Sequence, residues 1–386
     1  MNAALLEAAR RTWPALALVP LALPASEAHQ KTVLRYEPPT DRALSLAVTE
    51  THDLTLRTLS TRVGDAEPVE GSDSFRLRTR VDTVFADEHA DTDGSPIRRR
   101  YLDAAATLTV SPPLVEGEEA PDESRRRDYA LMSPFRDVSV VYVPADGQPE
   151  GFGRHYDARS LPEPLLPKLS APFDWAALLP PARPDGTRSA GIGDSWTIPP
   201  EALESLIAGG GFLNWRSPKP KKGEEEPPQK DERLQRVFST GVGGNLYVGF
   251  DGRVTGSADA SLAQVGQDGD VSWAEIVIAF DVRLLADRSD FVDDKRLESL
   301  GEDDVEMLGA NLGVALRGTA TLRWDLTAHR PSEATVEAAE TIAMNVRLSP
   351  PGGAYFEQAM GMEGRLQSRL SFDVIPATPV RRTVGR

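Results

Sequence analysis

The stretch GTATLRWDLTAHRPSEATVEAAETIAMNV, residues 318–346, decides the fold, because apolar and polar residues alternate along both of its halves. In the first half Leu322, Trp324 and Leu326 occupy every second position, with charged residues between them. The second half, from Ala334 to Val346, is apolar at most even positions. Successive side chains of a strand point to opposite faces of a sheet, so this period predicts two antiparallel strands with one covered face, joined by the turn AHRPSE.

Similar alternating runs lie on both sides of this pair. A third run covers residues 362–374, and two more, at 254–262 and 276–284, flank the turn GQDGD. Shorter runs occur near residues 44–56 and 75–85. The pattern predicts a mainly β protein of long-stranded antiparallel sheets in two β-rich halves, the C-terminal half being a meander.

Shifts in composition suggest how the chain is divided. The stretch RSPKPKKGEEEPPQKDER is charged, contains proline and almost lacks apolar residues, which is typical of a flexible linker. A second acidic stretch has apolar residues at roughly helical spacing, and we expect one or two short helices there that fold over the sheet. The predicted segments are a signal peptide (1–28), an N-terminal β-rich half with a Pro-rich loop (29–215), a linker (216–233) and a C-terminal meander (234–386) with a helical insertion (287–311).

The N-terminus has the order of a secretory signal. Arg10 and Arg11 precede a short apolar run that ends near Ala25, and Ser26-Glu27-Ala28 places small residues at the −3 and −1 positions of a cleavage site. No other segment reaches the length of about 18 apolar residues that a transmembrane helix needs. The sequence therefore predicts an exported protein, periplasmic or extracellular, without a transmembrane segment.

Composition excludes several classes of site. The 386 residues include no cysteine, so disulfides and thiolate ligands are absent. The formal net charge of −16 argues against a nucleic-acid partner, because phosphate binding needs a basic surface. The five histidines have no zinc spacing, and the acidic stretch ADEHADTDG has His89 and Arg100 where a calcium loop needs acidic residues. We predict no metal and no cofactor.

Ser195 raises the question of catalysis. GDSW, residues 193–196, is one letter from the signature of Gly-Asp-Ser-Leu hydrolases, and Asp325 and His329 would supply the other members of a triad. That family resemblance requires alternating β and α elements and a D-x-x-H spacing, neither of which is present. We interpret the stretch as a turn in which Gly191 and Gly193 permit a positive φ, Asp194 is the capping residue and Trp196 is buried. We predict no catalytic residue and no enzyme.

The GDSW turn and the late strand pair together resemble secreted bacterial proteins that carry a Gly-Asp-x-Trp motif. Those proteins are in turn similar to the half-barrel of the lipoprotein carriers, an antiparallel sheet curled around an apolar cavity with helices as a lid. The resemblance implies a curled half-barrel with a short helical lid and implies no catalytic residues. The matching residues are Gly193, Asp194, Ser195, Trp196, Gly318, Leu322, Trp324, Asp325 and Leu326.

Three functional hypotheses follow. The first is an exported, non-enzymatic envelope protein that binds a lipid or another apolar molecule in the half-barrel. The second is a structural or interaction protein of the cell envelope with a solid β interior and unidentified protein partners, and the third is a serine hydrolase that uses Ser195. If the sheet curls, six side chains either form an ordinary core or line the ligand site: Ile278, Phe280, Leu322, Trp324, Leu370 and Phe372.

Overall fold

A computed structural model describes residues 31–39, 42–71, 75–89, 96–111, 126–133, 135–144, 152–156, 173–207, 213, 253–287, 306–349 and 353–377. The strands are β1 (Thr32–Val33), β2 (Arg42–Val63), β3 (Val69–Glu70), β4 (Arg76–His89), β5 (Pro96–Ser111), β6 (Arg127–Met132), β7 (Ser139–Pro144), β8 (Phe152–Tyr156), β9 (Ser189–Ala190), β10 (Ser195–Ile198), β11 (Arg253–Asp268), β12 (Val271–Asp287), β13 (Glu306–Asp325), β14 (Arg330–Ser349) and β15 (Phe356–Pro376). The helices are two 3-10 turns (Trp175–Leu178 and Pro200–Leu203) and α1 (Glu204–Ile207).

Thirteen of the described strands form one antiparallel sheet, which confirms the predicted fold class. The sheet order is β10-β11-β12-β13-β14-β15-β2-β4-β5-β7-β8, with β3 paired to β2 and β6 paired to β5. Strands β11 to β15 follow one another in space as they do in sequence, so the C-terminal part is the predicted meander. Strands β1 and β9 form a separate small sheet.

The two β-rich halves share this sheet. Strand β15 pairs along its whole length with β2, from Phe356 opposite Val63 to Pro376 opposite Arg42. A single irregularity between Gly361 and Met362 interrupts this register. The N-terminal and C-terminal strands are therefore neighbours in one continuous sheet.

One face of the sheet is apolar and buried, and we call it the inner face. Every second residue of the central strands is buried on it, for example Leu44, Leu46 and Val48 in β2 and Val336 in β14. The opposite, outer face carries ion pairs such as Arg369–Glu333, with nitrogen and oxygen 2.8 Å apart. The strands therefore alternate between buried and solvent-facing positions, as the sequence pattern predicts.

The sheet curves around its inner face. The Tyr36 ring centroid lies 6.2 Å from that of Trp324 in β13 and 6.4 Å from that of His89 in β4, so those two rings are less than about 13 Å apart. Four strand spacings separate β13 from β4, which in a flat sheet would span about 19 Å. Glycines on the inner face permit close contact between strands: a Cβ added at Gly318 would overlap the backbone of Glu337, and one at Gly364 the backbone of Asp53.

Among the described residues, several segments outside the main strands cover the inner face, and we call three of them the covering segments: residues 34–36, 173–179 and 203–207. They contain buried side chains, including Leu34, Trp175 and Leu206. Their helices are short, four residues each.

The predicted helical insertion at 287–311 is wrong for its last part, because β13 already begins at Glu306 and pairs with β14 from there. From Ala310 onward, apolar residues alternate with other residues as expected for strand β13. Residues 288–305, the predicted signal peptide at 1–28 and the predicted linker at 216–233 lie outside the described residues.

The close contact at Gly364 can be tested by substitution. We expect Gly364→Ala to destabilise the protein by about 1–3 kcal/mol, because the new Cβ collides with backbone atoms of Asp53 and Leu54. Urea unfolding monitored by circular dichroism measures the change. Gly309→Ala is the matched control, since no heavy atom lies within 4 Å of a Cβ there. Equal stability of the two variants would contradict the proposed overlap.

Candidate functional site

The structure brings the six predicted lining residues together on the inner face. Ile278 and Phe280 lie on β12, Leu322 and Trp324 on β13, and Leu370 and Phe372 on β15. All are buried except Phe372, which is partly buried against the same apolar cluster. A role in lining a ligand site stays a prediction for them.

The covering segments contact two of these side chains directly. The Trp324 Nε1–H donates a hydrogen bond of 3.1 Å to the backbone carbonyl of Arg35, and the Trp175 ring packs edge-on against Phe372 at 5.1 Å. The Trp196 Nε1–H donates to the carbonyl of Leu178 at 3.1 Å. These contacts join the covering segments to the sheet through side chains.

A buried ion pair also contacts a covering segment. Arg99 is fully buried and donates from Nε and Nη2 to Asp87 at 2.7 Å each. Its guanidinium lies 4.4 Å from the Phe85 ring centroid and 4.2 Å from that of Phe173, so a cation–π contact connects β5 to residues 173–179. Burial opposes the charge of Arg99, but attraction to Asp87 outweighs it and raises the pKa of the guanidinium.

A polar cluster interrupts the apolar inner face, and we call it the inner polar patch: Glu50, His52, Thr79, Glu340 and Ser368. His52 Nδ1 lies 2.8 Å from one carboxylate oxygen of Glu340, and Nε2 lies 2.9 Å from Glu50. Strand β15 separates β2 from β14 at this level, and Gly364, the register partner of Glu340, has no side chain to block the contact. All five members of the patch are at most 5 % exposed.

The two carboxylates decide the protonation of His52. Burial would lower the pKa of the imidazole, but the charge of Glu340 and hydrogen bonds to Glu340 and Glu50 outweigh burial and raise the pKa well above its ordinary value. The two carboxylates therefore favour the protonated form of His52.

Three hydroxyls on the same face have no hydrogen-bond partner: Thr79 Oγ1, Thr83 Oγ1 and Ser368 Oγ. Thr79 is the register partner of His52, and Ser368 is the register partner of Glu50. Directly opposed side chains on one face have Cβ atoms about 4.5–5.5 Å apart, so both hydroxyls adjoin the patch.

The sequence analysis did not predict the inner polar patch, although the sequence contains a pattern that indicates it. Glu50 and His52 occupy the even positions of β2 that are otherwise apolar from Leu44 to Leu56, and Glu340 does the same in β14. Polar residues at core positions of an alternating strand mark a buried polar group that needs partners. Which partners they find depends on the strand order, which alternation does not reveal.

Ser195, Asp325 and His329 have separate environments. Ser195 is exposed on β10, which three strand spacings separate from β13, the strand that carries Asp325. Asp325 Oδ1 accepts from the backbone N–H groups of Thr327 and Ala328 at 2.8 Å each, and His329 Nε2 is bonded to Arg35. The three side chains do not form a triad.

The predicted turn around Ser195 is confirmed, apart from Gly191, for which no positive φ is found. Gly193 has φ of +88°, the Asp194 carboxylate accepts from the Gly191 N–H at 2.8 Å, and Trp196 is buried.

The acidic stretch near residue 87 lies partly in β4. Asp87 and Glu88 are engaged by arginines of β5, and residues 90–95 lie outside the described residues. Within the described ranges, no three His, Asp or Glu side chains are arranged to hold a metal ion. Nor does this part of the chain contain a helix with the length and apolar character to cross a membrane.

Comparison with known proteins gives no family. No family model and no curated protein matches the chain. Among solved structures, OccAB4 of Acinetobacter baumannii is 7 % identical over 86 % of this chain and 98 % of that one, with a TM-score of 0.13. A FadL homologue of Pseudomonas aeruginosa is 8 % identical over 86 % of this chain and 90 % of that one, with a TM-score of 0.12. Likenesses this weak carry no argument about fold or function.

Stability should depend on pH through His52. A histidine whose folded pKa is raised contributes stability that is fully present below the unfolded value of about 6.5 and is lost as pH rises through the folded value. We expect the wild-type free energy of unfolding to fall more steeply above about pH 6.5 than that of His52→Gln. Urea titrations over a pH series measure both proteins, and parallel pH curves would show that the pKa of His52 is not raised.

Ser195 should be dispensable for stability and unreactive. Its exposed side chain leads us to expect Ser195→Ala to change the free energy of unfolding by less than about 0.5 kcal/mol. A fluorophosphonate probe should not label the wild type, because no histidine side chain in the described part of the chain is hydrogen-bonded to this hydroxyl. Stoichiometric labelling that Ser195→Ala abolishes would instead support the hydrolase hypothesis.

Proposed function

We propose that the protein is an exported, non-enzymatic envelope protein that binds a lipid or another apolar molecule on the inner face of its curled sheet. The observation that supports this most directly is the curvature: one Tyr36 ring contacts side chains from strands four spacings apart. A concave apolar surface of this kind is what sites for apolar ligands require.

The way the inner face is covered also supports binding. The long strands obtain their backbone hydrogen bonds from one another, in continuous registers from β11 through β15 to β2, β4 and β5. Moving residues 34–36 and 173–179 aside would break side-chain contacts, the Trp hydrogen bonds and the backbone hydrogen bond from Leu34 to Arg188, but none of those registers. An apolar ligand can therefore replace the covering segments without unpairing the sheet.

A solid interior is the alternative, and complete packing near the covering segments favours it. Trp175, Trp324, Tyr101 and Phe85 are fully buried there, each against neighbouring rings or backbone. In that case the protein would act through its polar outer face as a structural or interaction protein of the envelope. Both proposed functions require export, which is predicted from the signal-peptide pattern of residues 10–28.

Native mass spectrometry separates the two functions. The full chain is expressed with export, purified and measured, and the bound material is extracted with solvent for lipid analysis. We expect a mature chain that begins at residue 29 and carries an extractable apolar species. A bare protein mass, unchanged after incubation with envelope lipids, would support the solid interior instead.

A substitution on the inner face tests the location. Phe372→Ala should weaken binding of the extracted species about tenfold, because it removes a half-buried ring that packs against Trp175. Asp373→Ala on the same strand is the control, since that side chain is exposed. Titration calorimetry measures both, and equal affinities would place the ligand elsewhere.

A further inference from the structure

The inner polar patch has an unbalanced charge. Carboxylate oxygens only accept hydrogen bonds, so the two contacts of His52 need either an imidazolium between two carboxylates or a neutral imidazole between one carboxylate and one protonated glutamate. Both arrangements carry the same net charge. The three side chains therefore sum to one negative charge on a buried apolar surface, where an unpaired charge is costly.

No described cation on the inner face is free to balance this charge. Arg99, the other buried cation of that face, is engaged by Asp87. The flanking inward positions are apolar, including Leu54, Leu366 and Ala338.

The unpartnered hydroxyls give a second, independent indication of a ligand. Thr79 and Ser368 are each 4 % exposed, lie next to the carboxylate–imidazolium chain and have no partner for their oxygen. A buried hydroxyl without a partner is unfavourable, and Ser368 lies directly opposite the Glu50 carboxylate, so this pair suits a group with several N–H donors. A protonated primary amine has three donors and one positive charge.

We propose that the inner polar patch binds the ammonium group of an amphiphilic amine whose apolar chain lies along the inner face. The inference rests on the proposed function, since the chain of the amine occupies the same apolar surface. The Ser368 hydroxyl and the carboxylate of Glu50, its register partner, accept hydrogen bonds from the ammonium, and Glu340 adds to the balancing charge. A carboxylate or phosphate head group is disfavoured at this position by repulsion from the same two side chains.

Three probes of equal chain length test the assignment. Dodecylamine, dodecanol and dodecanoate are titrated into the exported full-length protein at pH 7 in a calorimeter, below their aggregation concentrations. We expect the amine to bind about tenfold or more tightly than the alcohol, because hydrogen bonds to a charged group exceed neutral ones. Dodecanoate should bind most weakly.

Two substitutions remove the hydroxyls while keeping the shape of the inner face. Ser368→Ala should reduce the ratio of amine affinity to alcohol affinity severalfold, with little change for the alcohol. Thr79→Val should leave the ratio nearly unchanged, because β2 separates Thr79 from Ser368 and one ammonium cannot reach both hydroxyls. Thr107→Val is the matched control, because Thr107 is exposed on the outer side of the neighbouring strand β5. Urea unfolding verifies that each variant is folded before its ratio is compared.

The outcomes distinguish the two proposals. If the amine and the alcohol bind equally, or if the ratio is unchanged in Ser368→Ala, the ammonium site is wrong while binding of apolar chains stands. If none of the three probes binds the wild type, the proposed function itself fails. A preference for the amine that Ser368→Ala reduces and Thr107→Val retains supports both proposals.

Discussion

The pairing of β2 with β15 is the constraint on which the rest of the structure depends. It joins residues 42–63 to residues 356–376 and so makes one sheet of strands from both ends of the chain. The cost of closing so long a loop grows only slowly with length, by about 0.6 kcal/mol for each doubling, and a ladder of some twenty residue pairs offsets it. Without this pairing His52 and Glu340 would lie in separate sheets.

The curved sheet has a continuous apolar face that must be covered, and this face is also the proposed ligand site. A continuous apolar face cannot remain in water, and within the described residues the segments 34–36, 173–179 and 203–207 cover part of it. These segments hold the sheet through aromatic contacts, the Arg99 cation–π contact and indole N–H donors. None of these contacts is a pairing between the long strands, and the proposed binding depends on this observation.

The inner polar patch is costly for stability and therefore informative about function. Replacing such a chain of buried charges by apolar residues is often neutral or stabilising, whereas removing one member of it costs about 3–5 kcal/mol. Glu50, His52 and Glu340 satisfy one another, but Thr79 and Ser368 remain without partners. An interior selected for packing alone would place valine and alanine at these two positions.

The sequence by itself determined the mainly β class, the long antiparallel strands, the meander of β11 to β15 and the GDSW turn, because alternation and turn residues are local properties. It also identified Trp324 and Phe372 as inward-facing. It did not reveal that β15 pairs with β2, that β13 begins at Glu306, or that Glu50, His52 and Glu340 meet. Those features depend on which strands become neighbours, and a period of two assigns a side chain to a face but never to a partner. Only the tertiary structure decides that.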